Sequence, residues 1–86
     1  MRKKSILVIA IEDKAEALRV ANGLSILHEV KVVAVDGLDR NDLKVAEQLE
    51  AMEFAEIPLF VVHTEKEDYI KITGDFILES EEVFMI

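Results

Sequence analysis

The stretch that decides the fold is residues 49–63, Leu-Glu-Ala-Met-Glu-Phe-Ala-Glu-Ile-Pro-Leu-Phe-Val-Val-His. Its first part completes a helical pattern in which apolar residues recur at three-to-four spacing, with Leu49 and Met52 as the last members. Pro58 interrupts that pattern and leads into the apolar run at residues 59–62, and we expect residues 59–63 to form the third strand. This stretch therefore predicts a helix, a proline and a strand in succession, as in an α/β domain.

Two strand signals separated by a helix signal precede this unit. Residues 5–11 form a nearly unbroken aliphatic run, which suits a central strand buried on both faces. An amphipathic helical pattern begins near Asp13, and residues 30–35 form a second aliphatic run. A strand, a helix and a strand in sequence imply a right-handed crossover, so we expect the first two strands to be parallel.

The segment after residue 63 leaves two sheet topologies open. A short polar turn leads to residues 69–73, which alternate like a half-exposed edge strand with Ile70 and Ile72 directed inward. Because a short turn favours an antiparallel hairpin, we expect a mixed four-stranded sheet flanked by helices. The alternative is a doubly wound parallel sheet, in which residues 75–86 form a helical turn and then a terminal strand at residues 83–86.

Length and composition predict one α/β domain over residues 1–86, since 51% of the residues are hydrophobic and can supply a core. Ten basic and 18 acidic residues give a net charge of −8. This charge opposes binding to the backbone of nucleic acids and to anionic membranes. The chain contains no cysteine, which fits a cytoplasmic location.

The order β-α-β-α-β-β, with or without a final helix, resembles the glutaredoxin-like branch of the thioredoxin fold. Leu49, Met52 and Phe54 stand before Ile57-Pro58 in the way that the family's helix leads into its cis-proline loop. The predicted closing hairpin, followed by Gly74, is similar to the end of the same fold. The resemblance covers roughly residues 30–76 and consists of patterned positions.

Two other families share parts of the pattern. Residues 72–75, Ile-Thr-Gly-Asp, are similar to a motif of the KaiB-type clock proteins, which are also thioredoxin-like. Asp36-Gly37 and a closing strand at residues 83–86 resemble the DsrE/DsrH sulfur-relay group, a parallel α/β fold. Because sulfur-carrying members of that group use a cysteine, this second resemblance implies a structural subunit of a complex.

The resemblance to thioredoxin-like proteins implies a fold without its usual activity. A thiolate is the nucleophile in thiol–disulfide exchange, and residues 10–15, where that family carries its redox pair, contain no cysteine. The resemblance also implies a cis Ile57–Pro58 bond that presents the Ile57 backbone to an extended partner chain. The residues alone leave a trans proline that begins a strand as the alternative.

These observations predict a non-catalytic protein-binding or adaptor domain without thiol oxidoreductase activity, whose partner is another protein or a second copy. One predicted contact is the proline loop beside the turn after the first strand, and the other is the exposed edge strand. A structural role with residues 83–86 as the contact segment is a further interpretation. The predicted protein-binding residues are Ile11, Glu12, Asp13, Ile57, Pro58, Tyr69 and Ile72.

The alternative function is a carboxylate-metal-binding α/β subunit, with or without enzymatic activity. Glu12 and Asp13 follow the first strand and Asp36 follows the second, so parallel strands would bring these carboxylates to one edge. Magnesium prefers such oxygen ligands, but acidic residues at these positions also cap helices. His63 would join the group only if the third strand is parallel to the first. No cofactor and no catalytic residue are predicted.

Overall fold

The computed structural model describes residues 3–66 and 68–86, in which strands and helices alternate. The elements are β1 (Ser5–Ala10), α1 (Lys14–Leu24), β2 (Glu29–Val35), α2 (Leu43–Phe54), β3 (Leu59–Val62), α3 (Asp68–Glu79) and β4 (Glu82–Met85).

The four strands form one sheet in the order β3-β2-β1-β4, and every neighbouring pair is parallel. The chain moves outward from β1 through β2 to β3, and then α3 carries it back across the sheet to β4 on the other side of β1. This is a doubly wound arrangement with its reversal between β1 and β4. The α/β class is confirmed, as is the alternative prediction of a parallel sheet that closes on a C-terminal strand.

The prediction of a mixed sheet with an antiparallel hairpin is wrong, because residues 69–73 form the first part of α3. The side chains that pack against the sheet are those of Tyr69, Ile72 and Phe76, together with the buried Thr73. Their three-to-four spacing is helical. α3 therefore provides the long crossover that a parallel return requires.

Each face of the sheet has its own apolar cluster. On one face α1 and α2 cover alternate residues of the central strands, and Val8, Leu18 and Val32 are fully buried there. On the other face α3 covers Leu7 and Val33, which are equally inaccessible. This two-sided burial explains why β1 and β2 read as unbroken aliphatic runs.

The turn between α2 and β3 is formed by Glu56, which has a positive φ of 58°. The Ile57 N–H donates to the Met52 carbonyl at 3.0 Å, and the Glu56 N–H donates to the Glu53 carbonyl at 3.2 Å. These two bonds are the Schellman motif, and Ile57 and Met52 also belong to the same buried cluster.

The Ile57–Pro58 bond is trans, as in the alternative that the residues alone left open, and the cis bond that the resemblance implied is not found. Because Glu56 already redirects the chain, Pro58 only has to extend it into β3, where the missing N–H is harmless. The Pro58 carbonyl accepts a hydrogen bond from the Val32 N–H at 3.0 Å, which starts the pairing of β3 with β2.

Candidate functional site

The structure separates the two halves of the first predicted contact. Ile57 and Pro58 precede β3, whereas Ile11, Glu12 and Asp13 follow β1. Because β1, β2 and β3 are parallel, the first pair lies at the amino end of the sheet and the other three residues lie at the carboxyl end. Ile57 is also buried, so these residues do not form one contact surface.

The second predicted contact is not an exposed strand edge. Tyr69 and Ile72 are half-buried and pack against the cluster that contains Leu7, Ile9 and Val33. They attach α3 to the sheet. Their role in the described structure is therefore to fix the position of that helix.

The carboxyl end of the sheet contains an ordered aspartate. Asp36 has a positive φ of 61°, and its carboxylate accepts hydrogen bonds from the Thr64 N–H at 2.9 Å and from the Thr64 hydroxyl at 3.0 Å. The Thr64 N–H is the main cause that lowers the pKa of Asp36, and the nearby His63 and Lys14 lower it further. Asp36 thus ties the end of β2 to the loop after β3.

The other predicted metal ligands also have structural roles or lie apart. The Asp13 carboxylate accepts the Glu16 N–H at 3.1 Å and caps α1. The Ile86 carbonyl accepts both the Ile11 N–H at 2.7 Å and the Glu12 N–H at 3.1 Å. Residues 3–66 and 68–86 contain no group of three or more His, Cys, Asp or Glu side chains that could hold a metal ion.

The two hydrogen bonds to the Ile86 carbonyl also limit what can bind at the carboxyl edge between β1 and β4, where the strand order reverses. In doubly wound folds, ligands bind at the carboxyl edge where the strand order reverses, often against backbone N–H groups of the first loop. Here the Ile11 and Glu12 N–H groups donate to Ile86, which directly follows β4. These two donors are therefore already used within the protein.

An exposed apolar surface lies on the α3 side of β4. Val83 pairs with Leu7 and Met85 pairs with Ile9 in the register of the parallel strands. Because paired residues of parallel strands share a face and Leu7 and Ile9 belong to the α3-side cluster, Val83 and Met85 face the same side. Val83 is 36% exposed and Met85 is 67% exposed.

The helix above this part of the sheet contributes two more apolar side chains. One flank of α3 faces β2 and β3, since the Phe76 ring lies 4.7 Å from that of Phe60 and 4.5 Å from the Lys31 Nζ. Ile70 and Ile77 are seven residues apart and lie together on the opposite flank, toward β1 and β4. Ile70 is 76% exposed and Ile77 is 42% exposed.

Ile70, Ile77, Val83 and Met85 together form what we call the α3–β4 face. It adjoins a free sheet edge, because within the described ranges no strand pairs with the outer side of β4. Edge strands expose N–H and C=O groups that can pair with another chain. The α3–β4 face therefore combines exposed apolar area with free backbone hydrogen-bonding groups.

A competing groove lies between α2 and the opposite edge strand, β3. It is lined by Leu49, Met52, Ile57 and Leu59, and charged residues, including Arg40, also line it. Met52 and Ile57 are already buried in the core, so a ligand in this groove would gain little apolar contact from them. The α3–β4 face offers more unburied apolar surface.

The sequence contained a signal for part of this face. Val83 and Met85 lie in the segment that was predicted as a terminal strand and as a contact. Ile70 and Ile77 were missed, because residues 69–73 were interpreted as a strand. A helical pattern traced over residues 69–77 places Ile70 opposite Ile72 and beside Ile77, which would have identified the exposed flank.

Comparisons with known proteins add no family assignment. Neither a scan against protein-family models nor a search of curated proteins finds a match to this chain. Among the described residues, no helix is both long enough and apolar enough to cross a membrane.

Proposed function

We propose that this chain is a non-catalytic protein-binding domain and that its partner docks on the α3–β4 face. The observation that carries this proposal is that four exposed apolar side chains lie beside the outer side of β4, with which no strand pairs among the described residues: Ile70, Ile77, Val83 and Met85. Contiguous exposed apolar patches are typical of interaction sites, and open sheet edges accept an added strand.

The four exposed side chains can supply a large part of the free energy that a micromolar complex requires. Weighted by their exposed fractions, the four side chains amount to about two fully exposed aliphatic residues. Burying them would contribute roughly 3–7 kcal/mol before the cost of association. A micromolar complex requires about 8 kcal/mol, so apolar contact must be supplemented by backbone hydrogen bonds. The edge of β4 can supply those bonds.

The chemistry of the chain agrees with a binding role. Without cysteine it has no thiol for disulfide exchange. The α3–β4 face carries the proposal, and the resemblance to thioredoxin-like proteins adds no support to it, because the closing hairpin and the cis proline that it implied are not found in the part of the chain that the structure describes. A cytoplasmic location belongs to the same proposal, and the acidic, cysteine-free composition is compatible with it.

The experiment is a selection from a displayed random-peptide library on the immobilised full chain. We expect recovered peptides that bind the wild-type protein and lose binding to Ile70→Lys plus Met85→Lys. The matched control, Leu43→Lys plus Phe54→Lys, replaces two exposed apolar residues of α2 and should retain binding. Thermal denaturation checks that both variants are folded. If every recovered peptide binds both variants alike, or if none is recovered, the proposal is wrong.

A further inference from the structure

We infer that the partner on the α3–β4 face is a second copy of this chain, joined to the first by antiparallel pairing of the two β4 strands around a two-fold axis at Phe84. This inference rests on the proposed function and names the partner of the same site. It is carried by the direction of the main-chain groups of β4 and by the apolar side chains on both sides of that strand.

The outward-pointing N–H and C=O groups of β4 belong to Val83 and Met85. On the inner side of the strand, the Ile86 N–H donates to the Ile9 carbonyl of β1 at 3.0 Å. Main-chain groups of successive strand residues point to alternate edges, so those of Phe84 point toward β1, as those of Ile86 do. Those of Val83 and Met85 therefore point to the outer side, with which no strand pairs within the described ranges.

Two copies can pair these groups with each other when Phe84 lies opposite Phe84 of the second copy. A two-fold axis makes the pairing antiparallel, and Val83 of each chain then lies opposite Met85 of the other. Each of these two pairs exchanges two hydrogen bonds, so the interface gains four. The two Phe84 residues form the closer pair between them, which has no hydrogen bonds of its own.

The side chains that meet in this register are apolar on both faces of the sheet. Val83 and Met85 lie on the α3 side, and each Phe84, which is 38% exposed, lies on the side of α1 and α2. Aromatic and aliphatic cross-strand pairs are among those that stabilise sheets. The pairing therefore brings apolar side chains together and buries no charge at the axis.

The position of α3 favours a second copy over a single added strand. Phe76 contacts Phe60, and the strand register places Phe60 in the same row as Met85. Because α3 runs opposite to the strands, the next helical residue, Ile77, lies closer to the height of Phe84. An added strand lies in the plane of the sheet and covers little of this flank. The two-fold axis instead places a second α3 on the same side of the joined sheet, facing Ile77.

The exposed apolar area is of the size that a stable dimer needs. The α3–β4 face and Phe84 together expose the equivalent of about two and a half large apolar side chains per copy, on the order of 400–500 Å². A standard interface buries about 800 Å² per partner, of which about 450–520 Å² is apolar. An unstructured segment would also lose conformational entropy on binding, whereas β4 is already ordered in the sheet.

Because the sequence contains no cysteine, single cysteine substitutions in the full chain can test the register. In the proposed dimer the two Phe84 Cα atoms are about 4.5 Å apart, a distance that a disulfide spans. The two Val83 Cα atoms are roughly 7–8 Å apart, which is too far. Under a mild oxidant, Phe84→Cys should form a covalent dimer about ten times faster than Val83→Cys or more. Val61→Cys, at an exposed valine of the other edge strand, should react as slowly as Val83→Cys.

Sedimentation of the wild-type chain measures the association itself. Since each copy carries a net charge of −8, the measurement is best made at about 0.5 M salt, where the screening length is roughly 4 Å. We expect a dimer at about 100 µM chain. Met85→Lys should weaken it by about tenfold or more, whereas Val61→Lys should not. Thermal denaturation checks that all variants are folded.

The outcomes separate this inference from the proposed function. A wild-type chain that stays monomeric up to about 1 mM would overturn the inference. A dimer that Met85→Lys does not weaken, or in which Phe84→Cys and Val83→Cys cross-link alike, would also overturn it. The peptide selection, with chains immobilised too sparsely to meet, tests the proposed function independently. Face-dependent peptides on a monomeric wild-type chain would leave that function standing with a different protein as the partner.

Discussion

At the turn between α2 and β3, we expect a substitution to glycine to raise the free energy of unfolding, whereas glycine substitutions usually lower it. Glu56 adopts a left-handed conformation, with φ at 58°, and its side chain is exposed. A residue with a Cβ pays about 1–2 kcal/mol in that conformation, whereas glycine does not. Glycine loses more backbone entropy on folding, by roughly 0.5–1 kcal/mol. Glu56→Gly should therefore stabilise the protein by about 0.5–1 kcal/mol.

The matched control lies three residues earlier in the chain. Glu53 is also exposed but has a helical conformation within α2, so Glu53→Gly should destabilise the protein by about 1 kcal/mol. Urea denaturation followed by far-ultraviolet circular dichroism measures both changes, and the denaturant slope should stay constant. In thermal unfolding, Glu56→Gly should raise the Tm by about 2–8 °C. If both glycine variants are destabilised alike, the Schellman turn before Ile57 is wrong.

Three further predictions concern the helix–sheet packing and the carboxyl edge. Ile72→Lys should destabilise the protein by about 2 kcal/mol or more, because Ile72 packs against the sheet. Ile70→Lys should stay within about 0.5 kcal/mol of wild type, because Ile70 is exposed. Equal effects of the two substitutions in urea denaturation would contradict the helical assignment of residues 69–73. Leu18→Ala should cost about 3 kcal/mol by the same assay, because Leu18 is fully buried, and a cost below about 1 kcal/mol would contradict that packing. The lowered pKa of Asp36 means that its carboxylate stabilises the folded state above a pH of about 4 and that this contribution is lost as the pH falls further. Asp36→Asn should therefore flatten the acid side of the stability profile, and an unchanged slope below pH 4 would show that the Thr64 bonds do not hold the carboxylate.

The central strands and the first two helices could be predicted from local sequence. β1 and β2 are buried on both faces, which leaves a continuous aliphatic run, and Leu18 and Met52 lie on regular helical stripes. Each of these features depends on a pattern that is visible within a short stretch of the sequence. Of the carboxylates after the strands, Asp13 caps a helix, as the alternative to a metal site had it, whereas the hydrogen bonds between Asp36 and Thr64 were not predicted.

α3 could not be identified from residues 69–73 alone. Ile70 and Ile72 are two positions apart, which fits a strand, and five residues are too few to separate a period of two from a period of 3.6. The surface of the sheet determines that residues 69–73 form a helix. Leu7 and Val33 form an apolar surface that a helix can cover with Ile72 and Phe76, and this surface exists only once β1 and β2 have paired.

The two parts of the contact predicted around Pro58 lie at opposite ends of the sheet, and local sequence could not show this. No local feature of residues 59–62 states the direction of β3 relative to β1. The direction follows from the helical crossover through α2, which makes β3 parallel to β2 and hence to β1. The resemblance to thioredoxin-like proteins placed Pro58 beside the turn after the first strand, whereas the parallel sheet places Ile57 and Pro58 at the opposite end from Ile11. The interpretation of residues 69–73 as a strand separately concealed the exposed flank that carries Ile70.

The most direct test of the α3–β4 face is an amide chemical-shift titration of the ¹⁵N-labelled full chain with a peptide recovered in the selection. The largest shifts should fall on Ile70, Ile77 and the residues of β4, with little change around Leu49 and Leu59. Shifts confined to the groove that Leu49 and Leu59 line, with β4 unperturbed, would contradict the assignment of the binding surface.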